Sequence, residues 1–557
     1  MTGHPPVTHT SRPSGGVSLI IRRLILLVIV AGVGVILWNT LRGPTPPSRV
    51  AAEPVVLNRG NGHEPESIDP QRGRTDSEHT VLRDLYEGLT SLNGDARPMP
   101  GAASAWTLSD DGKTYTFTLR SGLRWSNGDP LVAEDFVFAL RRLVDPETAS
   151  PYAQVVDAIV NASEVTAGRA RKETLGVSAP NEHTLVIQLR APAPYLPGVL
   201  AHPSTFPVHR PTLEKHGREF SRPGVAVSNG AFVFESWTIG SHMVLRRNPQ
   251  YWNDAQNRID VVRFHHISDQ AAELRRYRAD ELDVTYVVPA AQFQWVRENL
   301  PRELFIAPQL TTYYYGFNLR RPPFGQNAAL RRALAMAIDR ERLTQTVTGR
   351  GELPAYGWVP TGVDNYRPQE PEWAKWKTEQ RVAAARKLYA QAGYSASKPL
   401  RTEIRYNADE SHTRVAVAVA AMWKEYLGVE TELVGEEFKV LLQNIDRGDV
   451  TQVFRSSWIG DYNDAYTFAQ YLKSDFGINL PRYSNPRYDA LLVQAAAEVD
   501  VAERASLLEE AERIMLADQP LIPLYFYVSK HLVKPWVRGW RTNVMNVTYS
   551  KDLAIFR

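Results

Sequence analysis

A mixed α/β chain folded as two or more lobes, with one hydrophobic helix ahead of them, is the architecture expected of this sequence. At 557 residues it exceeds what a single hydrophobic core usually supports. Segments alternating polar and apolar residues with period two, the mark of half-buried strands, are interleaved with segments whose apolar residues recur at helical spacing. Near the start, Leu24 to Trp38 is an uninterrupted apolar run.

Residues 1–16 read as a cytoplasmic tail, 17–38 as a membrane anchor or uncleaved signal helix, and 39–52 as a Pro-rich linker containing Gly43-Pro44-Thr45-Pro46-Pro47. The apolar run alone gives a helix of about 22 Å against a hydrocarbon core of roughly 30 Å, which is a signal-peptide length. Residues 17–21 lengthen it, Arg22 and Arg23 suit the inner interface by snorkelling, and Trp38 suits the outer one. The nearest small residues for cleavage, Val50 and Ala52, come well after Trp38. An uncleaved anchor holding the exported bulk of the chain on the periplasmic side of the inner membrane is expected, the alternative being a soluble periplasmic protein after cleavage.

Beyond the linker, strands are expected at 54–58, 114–119, 184–189, 232–237 and 243–246, the last two as a hairpin about Gly240. Helices are expected at 78–89 and 134–143, the second stopped by Asp145-Pro146. A second block begins near Thr311, with helices at 331–338, 380–392, 413–427 and 502–517 and strands at 400–406 and 429–434. No short-period repeat marks a solenoid.

With 43% hydrophobic and 22% charged residues and a net charge of +3, the composition is that of an ordinary globular protein and gives no reason to expect nucleic acid. The absence of cysteine excludes disulfides, Cys-ligated zinc, iron–sulfur clusters, thiol nucleophiles and lipid attachment through an N-terminal Cys. The histidines include no HxxxH or HExxH spacing, Gly60-Asn61-Gly62 lacks the Lys-Ser/Thr of a phosphate loop, and no GxGxxG or GxSxG occurs. Asp110-Asp111 read as solvated turn residues before Gly112. Neither an enzyme, a cofactor nor a metal centre is expected.

The specific signal lies in longer stretches. Arg83-Asp84-Leu85-Tyr86-Glu87-Gly88-Leu89, Ser109-Asp110-Asp111-Gly112-Lys113-Thr114-Tyr115, Trp125-Ser126-Asn127-Gly128-Asp129-Pro130 and Val144-Asp145-Pro146-Glu147-Thr148-Ala149-Ser150-Pro151-Tyr152 occur in order. They are followed by Arg247-Asn248-Pro249-Gln250-Tyr251-Trp252, Tyr313-Tyr314-Tyr315, Pro354-Ala355-Tyr356-Gly357 and Trp458-Ile459-Gly460-Asp461-Tyr462-Asn463-Asp464. From residue 54 to 557 the chain resembles the solute-binding proteins of oligopeptide and dipeptide ABC importers, solute-binding protein family 5.

That resemblance implies a two-lobed type II periplasmic binding protein fold. Lobe I would comprise 53–311 plus 529–557, with an inserted subdomain at about 89–210, and lobe II 312–528. It implies a monomer that captures an extended peptide between its lobes and delivers it to an ABC permease with its ATPase subunits. Relatives that bind a murein tripeptide, a dipeptide, haem or a nickel complex leave the solute open, and an anchored peptide sensor or chaperone is the alternative outside transport.

By motif position, Asp461 takes the peptide ammonium, with Gly460 where the family has Ala. Physically, a buried ammonium needs a counter-charge and hydrogen bonds. The competing reading makes Asp461 the N-cap of a helix starting near Asn463. Arg455 and His412 match positions that take the carboxylate, His412 better when protonated, while a further family cation falls near Ile445 with Arg447 two residues on. Tyr152, Trp458 and Tyr527 match side-chain pocket positions, and Ser457 a backbone contact. A strand through Tyr313 to Tyr315 sends alternate rings to opposite faces.

Overall fold

The computed structural model describes residues 53–448 and 452–557, together with Gly3 and Leu24. The expected tail, hydrophobic helix and linker lie outside the described residues apart from those two positions. Among the described residues no helix is long and apolar enough to cross a membrane. Residues 55–557 form one compact unit.

Strand β1 (Val56–Gly60) leads to helix α1 (Asp76–Leu85). Next come β2 (Ala103–Leu108), β3 (Thr114–Leu119), α2 (Ala133–Val144), β4 (Val177–Asn181) and β5 (Thr184–Gln188). Strands β2-β3-β5-β4 form an antiparallel sheet. The hairpin β6 (Phe232–Thr238) and β7 (His242–Arg247) turns at Gly240, whose φ of +72° favours glycine. With β8 (Val261–His265) it completes the sheet β1-β8-β7-β6, in which β1 and β8 are parallel. Leu57, Phe117, Phe136, Leu140, Phe232 and Val262, all fully buried, belong to the one core beneath these two sheets.

The rest is organised by a six-stranded sheet. Its members are β9 (Leu304–Phe317), β10 (Leu353–Pro354), β11 (Arg401–Asn407), β12 (Glu430–Glu436), β13 (Val453–Ile459) and β14 (Leu521–Leu532). They lie in the order β10-β14-β9-β13-β11-β12. Helices α3 (Ala328–Met336), α4 (Thr378–Gln391), α5 (Glu410–Leu427) and α6 (Val501–Asp518) complete the block. The sheet is covered on both faces. Tyr313 and Tyr315 enter one core with Trp423 and Ile404, and Tyr314 enters the other with Trp358 and Phe454, as strand alternation requires.

Helix α1 ends four residues earlier than its apolar spacing suggests. Tyr86 is extended, and Asn229 holds Glu87 there, its Oδ1 accepting from Glu87 N at 3.1 Å and its Nδ2 donating to Glu87 O at 2.8 Å. The other end is fixed more firmly. Thr75 caps α1 in a capping box with Glu78, and the Glu78 carboxylate accepts from the backbone N–H groups of Glu66, Ser67, Arg74 and Thr75 at 2.6–3.1 Å. Burial alone would raise the Glu78 pKa, but these four donors outweigh it and the net shift is downward. The stabilisation is therefore present above the ordinary pKa of 4.5 and lost as pH falls through the lowered folded value. Glu78→Gln is expected to lower the unfolding free energy by about 1–3 kcal/mol at neutral pH in urea titrations, a gap that narrows below pH 4.5.

Candidate functional site

Two walls meet at a cavity of about 380 Å³. One wall comes from α1 and the loops beside it. Asp76, His79, Thr80 and Arg83 follow the i, i+3, i+4, i+7 pattern and all line the cavity, while Val81, Leu82 and Leu85 turn into the core. Tyr152 and His202 stand beside them. The rings of His79 and His202 are 4.8 Å apart, and Tyr152 lies 5.3 Å from the first and 4.7 Å from the second. Burial, followed by neighbouring positive charge, pushes the His79 pKa down to about 4 and that of His202 well below its usual range, so both rings are neutral at neutral pH.

The other wall is the end of β13. Along its β9 edge this strand pairs from Val453 to Ile459, but on the β11 edge the pairing stops at Phe454. Gly460 N donates to Leu310 O at 2.7 Å on the β9 side, so by strand alternation Ser457 and Ile459 direct their N–H and C=O to the opposite edge. Among the described residues no strand occupies that edge beyond Phe454. Side chains follow the same period: Ser457 and Ile459 line the cavity, and Asp461 follows them. Gly460 lies close enough to Leu310 and Thr467 that a Cβ would approach them to 3.2 and 3.1 Å, so the alanine of the family pattern would need its neighbours to give way.

Asp461 is the chemically exposed point of this wall. Its N–H donates to Thr467 Oγ1 at 3.2 Å, but its carboxylate, open to the cavity, finds no partner among the described residues. Desolvation by the surrounding protein pushes its pKa up to about 6. The helix-cap reading of Asp461 is not what forms. The short helix begins at Tyr466, and Asp464 Oδ1 accepts from Tyr466 N at 2.8 Å while Arg504 clamps the same carboxylate at 2.7 and 2.9 Å.

Arg455 sits farther along the same face of β13, almost buried. Its guanidinium donates to Asn407 Oδ1 at 3.0 Å and Tyr527 Oη at 3.3 Å and lies 4.7 Å above the Tyr313 ring. Its Nε has no partner, and no carboxylate among the described residues pairs with it. Tyr527 also lines the cavity and so joins the two places. His412, in the first turn of α5, has its Nδ1 3.3 Å from Tyr313 Oη. Burial, then the Arg455 charge, pushes the His412 pKa down to about 4, so at neutral pH it offers a neutral ring and not the cation anticipated from sequence.

Trp458, expected at a side-chain pocket, is turned away from Ser457 by strand alternation: its Nε1 donates to Thr467 O at 2.8 Å, its ring packs 4.7 Å from Tyr471, and it is not among the residues lining this cavity. Ile445 is likewise core and supplies no charge. Sequence reasoning missed His79, His202 and Arg83 as lining residues. Arg83 lay within a quoted motif, and only the helical stripe 76-79-80-83 could have shown the shared face. Among the described residues no group of three or more His, Asp or Glu is placed to hold a metal ion.

The two shifts have opposite signs. Folding raises the Asp461 pKa from 3.8 to about 6, so the protein should lose stability relative to Asp461→Asn as pH rises across that interval. In NMR titrations of the ligand-free protein Asp461 should titrate near 6 and His412 near 4; a His412 midpoint close to 6.5 contradicts the environment described.

A model of the family described as bacterial extracellular solute-binding proteins, family 5 Middle, matches residues 97–479. The chain is 36% identical over 521 residues, 93% of its own length and 95% of the other, to the periplasmic oligopeptide-binding protein OppA of Escherichia coli. Among solved structures it superposes on the unliganded open form of the murein tripeptide-binding protein MppA with a TM-score of 0.83, at 37% identity over 90% of this chain and 98% of that one. On Haemophilus influenzae OppA in complex with RPPGFSPFR the TM-score is 0.74, at 36% identity over 91% and 99%. The α/β arrangement is thus one shared with two-lobed periplasmic binding proteins, and the chain belongs to family 5 of the bacterial extracellular solute-binding proteins.

Proposed function

We propose that this protein captures oligopeptides as the extracytoplasmic component of an ABC importer, with no catalytic step. The observation that carries this reading is the free edge of β13, set between an unpaired carboxylate at Asp461 and, at Arg455, a guanidinium that no carboxylate among the described residues neutralises. An extended peptide adds to such an edge through its backbone, which binds without regard to sequence. With its ammonium at Asp461 and its carboxylate at Arg455, the peptide runs antiparallel to β13. From Arg455 to the end of β13 at Ile459 the free edge spans about 13 Å, which suits roughly four extended residues. Tyr152 and Tyr527 supply flat, partly polar surfaces that tolerate different side chains.

In this reading lobe I takes residues 53–311 and 529–557 and lobe II takes 312–528. The crossings fall inside β9 and β14, beside the register shift between Pro308 and Thr312, so capture bends two strands instead of unfolding a loop. The higher TM-score to an unliganded open form than to a peptide complex supports an open cleft awaiting ligand. The occupied protein then passes its peptide to a permease with separate ATPase subunits. In this reading residues 17–38 keep the chain at the outer face of the cytoplasmic membrane; the periplasmic naming of OppA supports the compartment alone.

Calorimetry with tetraalanine and its N-acetyl form tests the core of the proposal. Acetylation should weaken binding by about a hundredfold, since a buried carboxylate is then left without its counter-charge; equal affinities would sink the assignment of Asp461. Binding of the free peptide should also weaken as pH falls below about 6, where Asp461 becomes protonated, and that slope should vanish in Asp461→Asn. Intact mass of the protein isolated from its membrane should retain residues 1–52; a mature N-terminus beyond residue 38 rules out the anchor.

A further inference from the structure

Arg83 is a cation in the cavity that capture of the peptide termini leaves unused. It is half-buried and lines the cavity together with Asp461. Its Nε is enclosed without a hydrogen-bond partner, and among the described residues no ion pair or hydrogen bond engages the rest of the guanidinium. Asp76, seven residues back on the same helix stripe and itself exposed, and the adjacent buried Asp84 both act on Arg83 through space, but among the described residues neither pairs with it. The neighbours His79 and His202 are neutral, and Tyr152 offers only a ring and a hydroxyl that donates to Arg74 O at 3.3 Å. Arg59, the other cation lining the cavity, is engaged by Thr548 O at 3.2 Å and Ser550 Oγ at 2.9 Å. A carboxylate and a guanidinium therefore line one cavity from opposite walls without pairing with each other.

We propose that Arg83 determines specificity by taking an acidic side chain on one of the first two residues of the peptide while Asp461 holds its ammonium. The inference rests on the peptide reading given above. The position along the peptide follows from geometry: Arg83 shares the cavity with Asp461, whereas Arg455 does not line it, and each extended residue advances the chain by about 3.3 Å toward Arg455. A guanidinium suits the task because it stays charged when partly buried and can bind a carboxylate through two parallel N–H donors. Neutral His79 and His202 then donate or accept hydrogen bonds without repelling either charge.

The test is calorimetry on the full chain with Glu-Ala-Ala-Ala and Ala-Glu-Ala-Ala, each against its Gln counterpart. At one of the two positions the Glu peptide should bind about tenfold more tightly, the worth of one charge-assisted hydrogen bond. Arg83→Met should bring that ratio to about one while the Gln peptides keep their affinity within roughly threefold. Asp461→Asn should weaken both members of a pair and leave their ratio unchanged. Equal affinities for Glu and Gln at both positions in the unmutated protein overturn the inference alone, whatever the fate of the Arg83 variant, as does a Glu preference that survives Arg83→Met. Absence of binding by all four peptides overturns the peptide reading and this inference with it.

Discussion

The one-sided pairing of β13 is the constraint on which the site depends. The strand must be paired along one edge to be held in the sheet, yet the opposite edge beyond Phe454 must stay free to receive a ligand. The sheet achieves this by ending β11 at Asn407, where Asp409 caps α5 and leads the chain away. Because backbone direction and side-chain direction both alternate with period two, the residues that expose N–H and C=O to that edge are also those whose side chains face the cleft. Arg455, Ser457 and Ile459 thus form one register, and Phe454, Ser456 and Trp458 the structural counter-register.

Charge is distributed with the same selectivity. Asp464 and Asp461 are three residues apart, yet the first is closed off by Arg504 and a helix N-terminus while the second has neither. The consequence is visible in the raised pKa of Asp461, which marks a carboxylate partly stripped of water and given nothing in exchange. Such a group destabilises the empty protein slightly and becomes favourable once an ammonium arrives. Arg455 is held differently. Polar and aromatic neighbours fix its plane without neutralising it, so its orientation is set before any carboxylate is bound.

Helices α2 and α5 were legible within a few residues from their apolar stripes, α4 and α6 from long runs of helix-forming residues free of Gly and Pro, and β3 because its polar and apolar residues alternate. The strands that build the site were not. Almost every residue of β14 is buried, and most of β9 is as well, so the alternation that betrays a strand with one wet face is missing. Asp461 and Arg455 could be named only through resemblance. That they are unpaired, that His412 is neutral and that Trp458 turns away are consequences of neighbours distant in sequence.

Local chain chemistry was sufficient for the α/β class, the hairpin at Gly240, the alternating faces of Tyr313 to Tyr315 and the order of family motifs. The hairpin and the alternating faces depend on residues within one turn or one strand period, and the class and the motif order on such local patterns read along the chain. Packing alone brings α1, Tyr152 and His202 against the end of β13, separated in the chain by hundreds of residues. Packing also leaves Arg83 and Asp461 without partners, because pairing and desolvation are properties of the surroundings of a charge and not of the residue that carries it.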